Sequence, residues 1–115
     1  METLCKIRDI YRAITQFEVE FEKVYNLSLN EGMLLCTLCK EGKLTSGQIA
    51  EYMGITLSNA SKVIKEVESK KLVSRSLGDT DKRQMYFSLT EEGKKKLTGI
   101  HDHKVEVPEL IKCVL

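Results

Sequence analysis

Apolar residues in the first quarter of the chain recur at steps of three or four positions. They are Leu4, Ile7, Tyr11, Ile14, Phe17, Phe21 and Val24. This spacing places them on one stripe of an α-helix that covers roughly residues 2–25. A helix of about six turns is longer than a small domain needs for its own core. We therefore expect part of the stripe to meet another subunit.

Polar residues mark the starts of two further helices. Ser28 stands three residues before Glu31, and Thr45 stands three residues before Gln48. At this spacing a hydroxyl and a carboxylate or amide can satisfy free backbone amides at a helix start. We therefore expect a second helix that ends at about Lys40 and a third that begins just after Thr45.

A tight turn at Gly54 separates the third helix from a fourth at about residues 58–70. Glycine readily adopts the left-handed backbone conformation that ends a helix. The inward face of the fourth helix carries Ala60, Ile64 and Val67. Two short helices joined by a turn that contains glycine predict a helix-turn-helix.

The pattern changes to alternation after the fourth helix. Strands at about residues 73–77 and 84–89 flank a Gly-Asp-Thr-Asp turn, which predicts a β-hairpin. Glu91 and Glu92 then open another helix, because acidic side chains are favoured near the positive end of the helix dipole. We expect the single proline, Pro108, to break or kink the C-terminal segment.

Charge is unevenly distributed over these elements. The net charge of the 115 residues is +1, but residues 40–83 hold nine basic and six acidic side chains. A local positive excess favours a polyanion, although a solvated charged surface fits the same counts. No apolar run approaches the roughly 18 residues of a spanning helix, and charges occupy the N-terminus where a signal peptide is apolar. We therefore expect a cytoplasmic protein.

The outward face of the fourth helix carries residue types that read DNA. Asparagine can make two hydrogen bonds to a base edge, serine can bond bases or phosphates, and lysine can reach guanine or phosphate. We expect this helix to enter the major groove, although any solvated helix face carries serine and lysine. The residues outside the apolar stripe are Ser58, Asn59, Ser61, Lys62 and Lys65.

The hairpin tip carries two basic side chains, Lys82 and Arg83, beside Asp79 and Asp81. In isolation, a charged hairpin is usually only a soluble turn. Here it directly follows a helix-turn-helix, and a positive tip has a use against a groove lined by phosphates. We therefore expect the tip to contact DNA.

Residues 44–96 resemble the MarR family of bacterial regulators, through LTSGQIAEYMGIT, SNASKVIKEVESKKLVSR and DTDKRQMYFSLTEEGKK. The most specific element is the wing signature of Asp, one residue, Arg and a later Leu-Thr, matched by Asp81, Arg83, Leu89 and Thr90. The resemblance implies a winged-helix fold, homodimerisation through the terminal helices and binding to pseudo-palindromic operators in double-stranded DNA. Repression is the commoner outcome for such proteins.

Carried over by position, the resemblance assigns roles to single residues. Arg83 takes the wing contact, and Asp81 is the ion-pair partner that orients the wing. Contacts with base edges and nearby phosphates fall to Ser58, Asn59, Ser61, Lys62 and Lys65. Family members vary in whether a small-molecule effector binds between the dimer helices and the DNA-binding lobe, and these residues do not place such a site.

The implied layout is one mainly α domain with a two-stranded β-hairpin wing. Dimerisation helices fall at about residues 2–25 and 91–113, and the DNA-binding lobe at about 28–90. Two features depart from the family pattern. Lys71 stands where many members have glycine, and about 25 residues follow Thr90 where the family often has a longer helical pair.

Cys36 and Cys39 form a C-x-x-C motif within the helical sequence LLCTLCK. Zinc would need two further ligands, and the candidates His101 and His103 are distant in sequence. A redox role would need an exposed thiolate, which an apolar helical setting disfavours. We therefore expect buried thiols that pack as small apolar residues.

Two other functions stay open from the sequence. A thiol-based regulator would depend on Cys36, Cys39, Cys5 or Cys113, and the last two lie near termini that the family brings together. A winged helix can also bind protein partners and not nucleic acid. No Ser-His-Asp set, glycine-rich phosphate loop or carboxylate pair can be assembled, so we expect neither an enzyme nor a cofactor or metal.

Overall fold

A computed structural model describes residues 2–78, 83–102 and 106–113. Two strands, Val73–Leu77 and Met85–Leu89, form an antiparallel hairpin in which Val73 lies opposite Leu89. The predicted fold class is confirmed: the chain is mainly α, and a two-stranded wing follows the helix-turn-helix. In chain order the elements are α1 (Glu2–Tyr25), α2 (Leu29–Glu41), α3 (Ser46–Met53), α4 (Leu57–Ser69), β1 (Val73–Leu77), β2 (Met85–Leu89), α5 (Glu91–Asp102) and α6 (Glu109–Lys112).

The chain divides into two compact units. One contains α1 and α6, and the other runs from Asn30 to Asp102. The helix-turn-helix, the hairpin and α5 therefore belong to the same unit. Within the described ranges, no helix combines the length and the apolar character that crossing a bilayer requires.

Burial along α1 divides the predicted apolar stripe. Phe21 and Tyr25 are buried, and their ring centroids lie 4.8 Å apart. Phe17 packs on Phe21 with centroids 5.9 Å apart. The stripe is exposed toward the N-terminus, at Leu4, Ile7, Tyr11 and Ile14, and again at Val24.

The second unit has its core under the helix-turn-helix and the wing. Burial of one leucine or isoleucine side chain in this core stabilises the fold by roughly 1.5–3 kcal/mol. As predicted, Ala60, Ile64 and Val67 form the inward face of α4. The other buried residues include Leu34, Leu35, Leu38, Ile49, Val73, Phe87 and Leu97.

Local capping fixes the bounds of α3. The Thr45 backbone N–H donates to Gln48 Oε1 over 2.9 Å, and the Gln48 N–H donates to Thr45 Oγ1 over 3.2 Å. Gly54 ends the helix with φ +67°, in the left-handed region that favours glycine. Both predicted signals are confirmed, and they set the short turn before α4.

A partly buried ion pair connects the start of α2 to Lys70, the residue that caps the end of α4. Glu31 is buried, and its Oε2 accepts a hydrogen bond from Lys70 Nζ over 2.7 Å. A buried carboxylate is costly unless it is paired and hydrogen-bonded. The contact therefore favours one placement of the C-terminal end of α4.

The turn from α4 to β1 keeps the backbone conformation that glycine favours, although Lys71 stands there. Lys71 has φ +63°. Its carbonyl accepts a hydrogen bond from Thr90 Oγ1 over 2.7 Å, and Thr90 Oγ1 accepts one from the Gly93 N–H over 3.0 Å. A Cβ at Gly93 would lie 2.1 Å from the Leu72 carbonyl oxygen, so this close approach requires glycine.

The prediction that Cys36 and Cys39 are buried is wrong, because both are exposed. Helix α2 buries Leu34, Leu35 and Leu38. With 3.6 residues per turn, these leucines form one stripe, and each cysteine follows one step further round the helix toward solvent. The apolar neighbours in sequence therefore face the core while the thiols do not.

Candidate nucleic-acid interface

The outward face of α4 is polar and accessible. Helix α4 begins after Thr56, whose Oγ1 accepts a hydrogen bond from the Asn59 backbone N–H over 3.1 Å. Because the inward face buries Ala60, Ile64 and Val67, the polar side chains that alternate with them point to solvent. All five residues predicted for recognition are exposed, namely Ser58, Asn59, Ser61, Lys62 and Lys65.

Two features near the start of α4 suit a negatively charged ligand. The first turn presents backbone N–H groups at the positive end of the helix dipole. Lys62 and Lys65 follow on the same exposed face.

Leu57, also in the first turn, is 56% exposed, and an apolar side chain there can contact a thymine methyl group. Sequence reasoning did not single out Leu57, because an apolar residue in a helix is assigned to the core by default.

A groove of about 710 Å³ lies along α4 beside the hairpin. It brings together four of the five predicted recognition residues, whereas Asn59 is not among its lining residues. It also adds two charged residues that sequence reasoning missed. The residues concerned are Ser58, Ser61, Lys62 and Lys65, with Glu68 and Arg75 as the additions.

Glu68 and Arg75 form a two-pronged ion pair at this groove. Arg75 Nε donates to Glu68 Oε2 over 2.7 Å, and Arg75 Nη2 donates to Glu68 Oε1 over 2.6 Å. These hydrogen bonds and the positive charge of Arg75 hold the pKa of Glu68 below its ordinary value, against the opposing effect of burial. Glu68 likewise raises the pKa of Arg75. The pair joins α4 to β1, and its partners stand seven residues apart on different elements, so local sequence patterns did not reveal it.

The described part of the wing includes one of its predicted contacts. Arg83 is exposed and lies just before β2. The hairpin ladder extends beyond the strands, since the Gly78 N–H donates to the Gln84 carbonyl over 2.8 Å. Asp81 and Lys82 lie outside the described residues, so the pairing of Asp81 with Arg83 stays a prediction.

The residues that line the groove include no described cysteine or histidine. Cys36 lines a separate pocket with Tyr52 and Met53. His101 is exposed on α5, and His103 lies outside the described residues. Over the described ranges, no group of three or more His, Cys, Asp or Glu side chains is placed to hold a metal ion. Exposed thiols are also present at Cys5, Cys39 and Cys113.

Comparison with known proteins gives a family match and two relatives in Bacillus subtilis strain 168. A family model described as transcriptional regulator SarA/Rot matches residues 16–100. The uncharacterised HTH-type transcriptional regulator YwaE is 32% identical over 117 residues, which cover 96% of this chain and 68% of YwaE. The uncharacterised HTH-type transcriptional regulator YfiV is 32% identical over 77 residues, covering 67% of this chain and 48% of YfiV. The chain thus spans about half the length of the second relative.

Among solved structures, a MarR mutant from E. coli complexed with operator DNA has the same fold. The TM-score is 0.77, and the match covers 88% of this chain and 74% of that one. Sequence identity is 18%. The likeness establishes the winged-helix fold.

Proposed function

This chain belongs to the SarA/Rot family of transcriptional regulators, and on that basis we propose that it binds specific sequences in double-stranded DNA as a homodimer and represses transcription in the cytoplasm. In this proposal each subunit inserts α4 into a major groove, and each wing contacts the flanking duplex. Two subunits related by a two-fold axis would read a pseudo-palindromic site.

The exposed polar face of α4 is the observation that carries the proposal. Five side chains of α4 that can bond base edges or phosphates are all exposed, and no described residue of the unit that contains α4 covers them. Base contacts would give sequence preference, and phosphate contacts would fix the position of the helix. We assign Asn59 to a base edge, and we assign Lys62 and Lys65 to guanine or phosphate.

The wing supplies the second part of the proposed interface. Arg83 is exposed at the base of the hairpin tip, and a guanidinium suits either a phosphate or a narrow minor groove. We keep Lys82 as a second wing contact and Asp81 as the residue that orients Arg83. A MarR mutant has been solved with operator DNA on this fold, which supports DNA binding by this chain.

The experiment that tests the proposal is selection of bound duplexes from a random pool by the purified protein. We expect enriched sequences with two half-sites whose centres lie roughly 10 base pairs, or a multiple of that, apart. Affinity for a selected duplex should fall steeply as salt rises, because phosphate contacts release counterions. A protein that retains no duplex even at low salt would contradict DNA binding and favour the alternative of a protein-interaction module.

A further inference from the structure

Three side chains connect the recognition helix to the root of the wing. Glu68 comes from the last turn of α4, Arg75 from β1 and Phe87 from β2. We name this group the wing-root clamp. Arg75 is held on one side by the Glu68 carboxylate, at 2.6 and 2.7 Å, and its guanidinium carbon lies 5.5 Å from the Phe87 ring centroid.

The clamp fixes the guanidinium in two ways. A two-pronged contact with a carboxylate restricts both position and plane, which a single hydrogen bond does not. The Phe87 ring adds a cation–π contact, and the strand register places Arg75 directly opposite Phe87. The side chain of Glu68 is 20% exposed, so its carboxylate is held in place as well.

Phe87 extends the connection to the start of α3. Its ring is buried, and its backbone exchanges two hydrogen bonds with Leu44, at 2.8 and 3.1 Å. Leu44 directly precedes the capping residue Thr45. One contiguous set of contacts therefore ties the recognition helix, both wing strands and the segment that leads into α3.

We propose that the wing-root clamp sets the direction of the wing relative to the recognition helix, and that Arg75 is a positioning residue and not a phosphate contact. This inference rests on the proposed DNA binding. The acidic partner is the reason for the assignment, because a carboxylate at a groove that receives DNA repels phosphate unless a bound cation neutralises it. Arg75 supplies that neutralisation, and the pair presents little net charge to the duplex.

The test uses Arg75→Gln, Glu68→Gln and the double variant, with binding to a duplex selected by the unaltered protein. Under the proposal both single variants release the same clamp, so each should weaken binding about three- to tenfold. The double variant should be no weaker than either single variant, since the contact can be lost only once. The salt slope should stay as in the unaltered protein, because no phosphate contact has been removed.

Matched controls come from the exposed pair of Glu91 and Lys94 on α5, whose Oε1 and Nζ atoms lie 3.4 Å apart. Lys94→Gln removes the same charge as Arg75→Gln, and Glu91→Gln the same charge as Glu68→Gln. The controls measure how the loss of one elementary charge from this part of the chain changes DNA affinity. The clamp variants should differ from them in that loss of the acidic residue, Glu68, weakens binding.

The sign of the Glu68→Gln effect decides between the two roles of Arg75. If Glu68→Gln strengthens binding while Arg75→Gln weakens it and lowers the salt slope by about one phosphate contact, Arg75 contacts DNA and the proposal is overturned. If both variants bind the duplex with the same affinity as the unaltered protein, the proposal is overturned as well. In either result the unaltered protein still binds duplex, so the proposed function stands apart from the clamp.

A second readout separates positioning from general loss of folding. Duplex selection repeated with Arg75→Gln should lose sequence preference in the flanks under the wing and keep it in the major-groove half-sites. If Arg75→Gln only unfolds part of the protein, a smaller fraction of the molecules binds, but those molecules select the same duplex sequence as the unaltered protein. Unchanged flank preference in a variant that binds more weakly would therefore refute the positioning role.

Discussion

Lys71 carries a conformational cost that a single substitution can remove. Its φ of +63° lies in the left-handed region, where a side chain with a Cβ is disfavoured. The left-handed conformation costs a residue with a Cβ roughly 1–2 kcal/mol, and the greater chain entropy of glycine offsets about 0.5–1 kcal/mol of that. We therefore expect Lys71→Gly to raise the free energy of unfolding by about 0.5–1 kcal/mol, as measured by thermal or urea unfolding. Lys71→Ala is the matched control, because it removes the same charge and keeps the Cβ. A gain of equal size in both variants would assign the effect to charge and not to the backbone.

Substitutions of Arg83 and Asn59 should affect DNA binding differently: the first should weaken affinity for every sequence, and the second should reduce discrimination between sequences. Arg83→Ala should weaken binding to all duplexes and reduce the salt slope, because every duplex offers phosphates to the wing, whereas a preference in the flanks comes from groove shape. Equal affinity of Arg83→Ala and the unaltered protein at several salt concentrations would remove the wing assignment.

Asn59→Ala should instead lose discrimination at one operator position, at a cost of about 1–3 kcal/mol. The measurement is competition binding with duplexes that differ at single positions. Ser58→Ala on the same exposed turn serves as the comparison. A single hydroxyl can bond a base or a phosphate, so its loss should reduce discrimination between bases less than loss of the Asn59 amide does. Uniform weakening across all sequences would identify Asn59 as a phosphate contact.

At the scale of elements, capping and periodicity predicted the helices well because both depend on neighbours in sequence. The reciprocal hydrogen bonds of Thr45 and Gln48 need only one turn of backbone. Periodicity was weaker on orientation. In the sequence LLCTLCK apolar residues are so dense that the pattern does not tell which stripe faces the core, and Cys36 and Cys39 were therefore assigned to the wrong side.

The candidate interface was predictable in part for the same reason. The polar face of α4 follows from its own periodicity, whereas the pairing of Glu68 with Arg75 depends on how α4 packs against β1. Lys70 reaches Glu31 across 39 residues, and no local rule predicts that contact. Contacts between elements require the tertiary arrangement, and of these two only the pair of Glu68 and Arg75 reaches the wing.

The ion pair between α4 and β1 also predicts a pH dependence. The Arg75 hydrogen bonds hold the pKa of Glu68 below its ordinary value. A lowered pKa in the folded state means that the pair contributes stability above the ordinary pKa of a glutamate, near 4.5, and that this contribution is lost as pH falls through the lowered value. The unfolding free energy of the unaltered protein should therefore exceed that of Glu68→Gln at pH 7, and the difference should shrink below about pH 4.5. A difference that stays constant down to pH 3 would contradict a stabilising ion pair.

At the scale of the whole molecule, the exposed part of α1 supports the proposed homodimer. Leu4, Ile7 and Tyr11 are 67%, 54% and 72% exposed, and they share one helical stripe. A contiguous apolar patch on a helix is costly to leave in water, and burial against a second copy removes that cost. Two copies joined in this way would present two recognition helices, which a pseudo-palindromic site requires.

Ile7→Glu should therefore shift the protein from dimer to monomer, measured by sedimentation at micromolar concentrations. Two buried like charges facing each other across a two-fold axis would repel and lack partners, so we expect a loss of about tenfold or more in dimer affinity. Val19→Glu is the matched control, because Val19 is an exposed apolar residue on another face of α1. If the unaltered protein sediments as a monomer, or if both variants dissociate equally, the stripe is not the dimer interface. If Ile7→Glu alone dissociates the protein, its affinity for a two-half-site duplex should fall far more than its affinity for a single half-site, because only the dimer holds both half-sites at once.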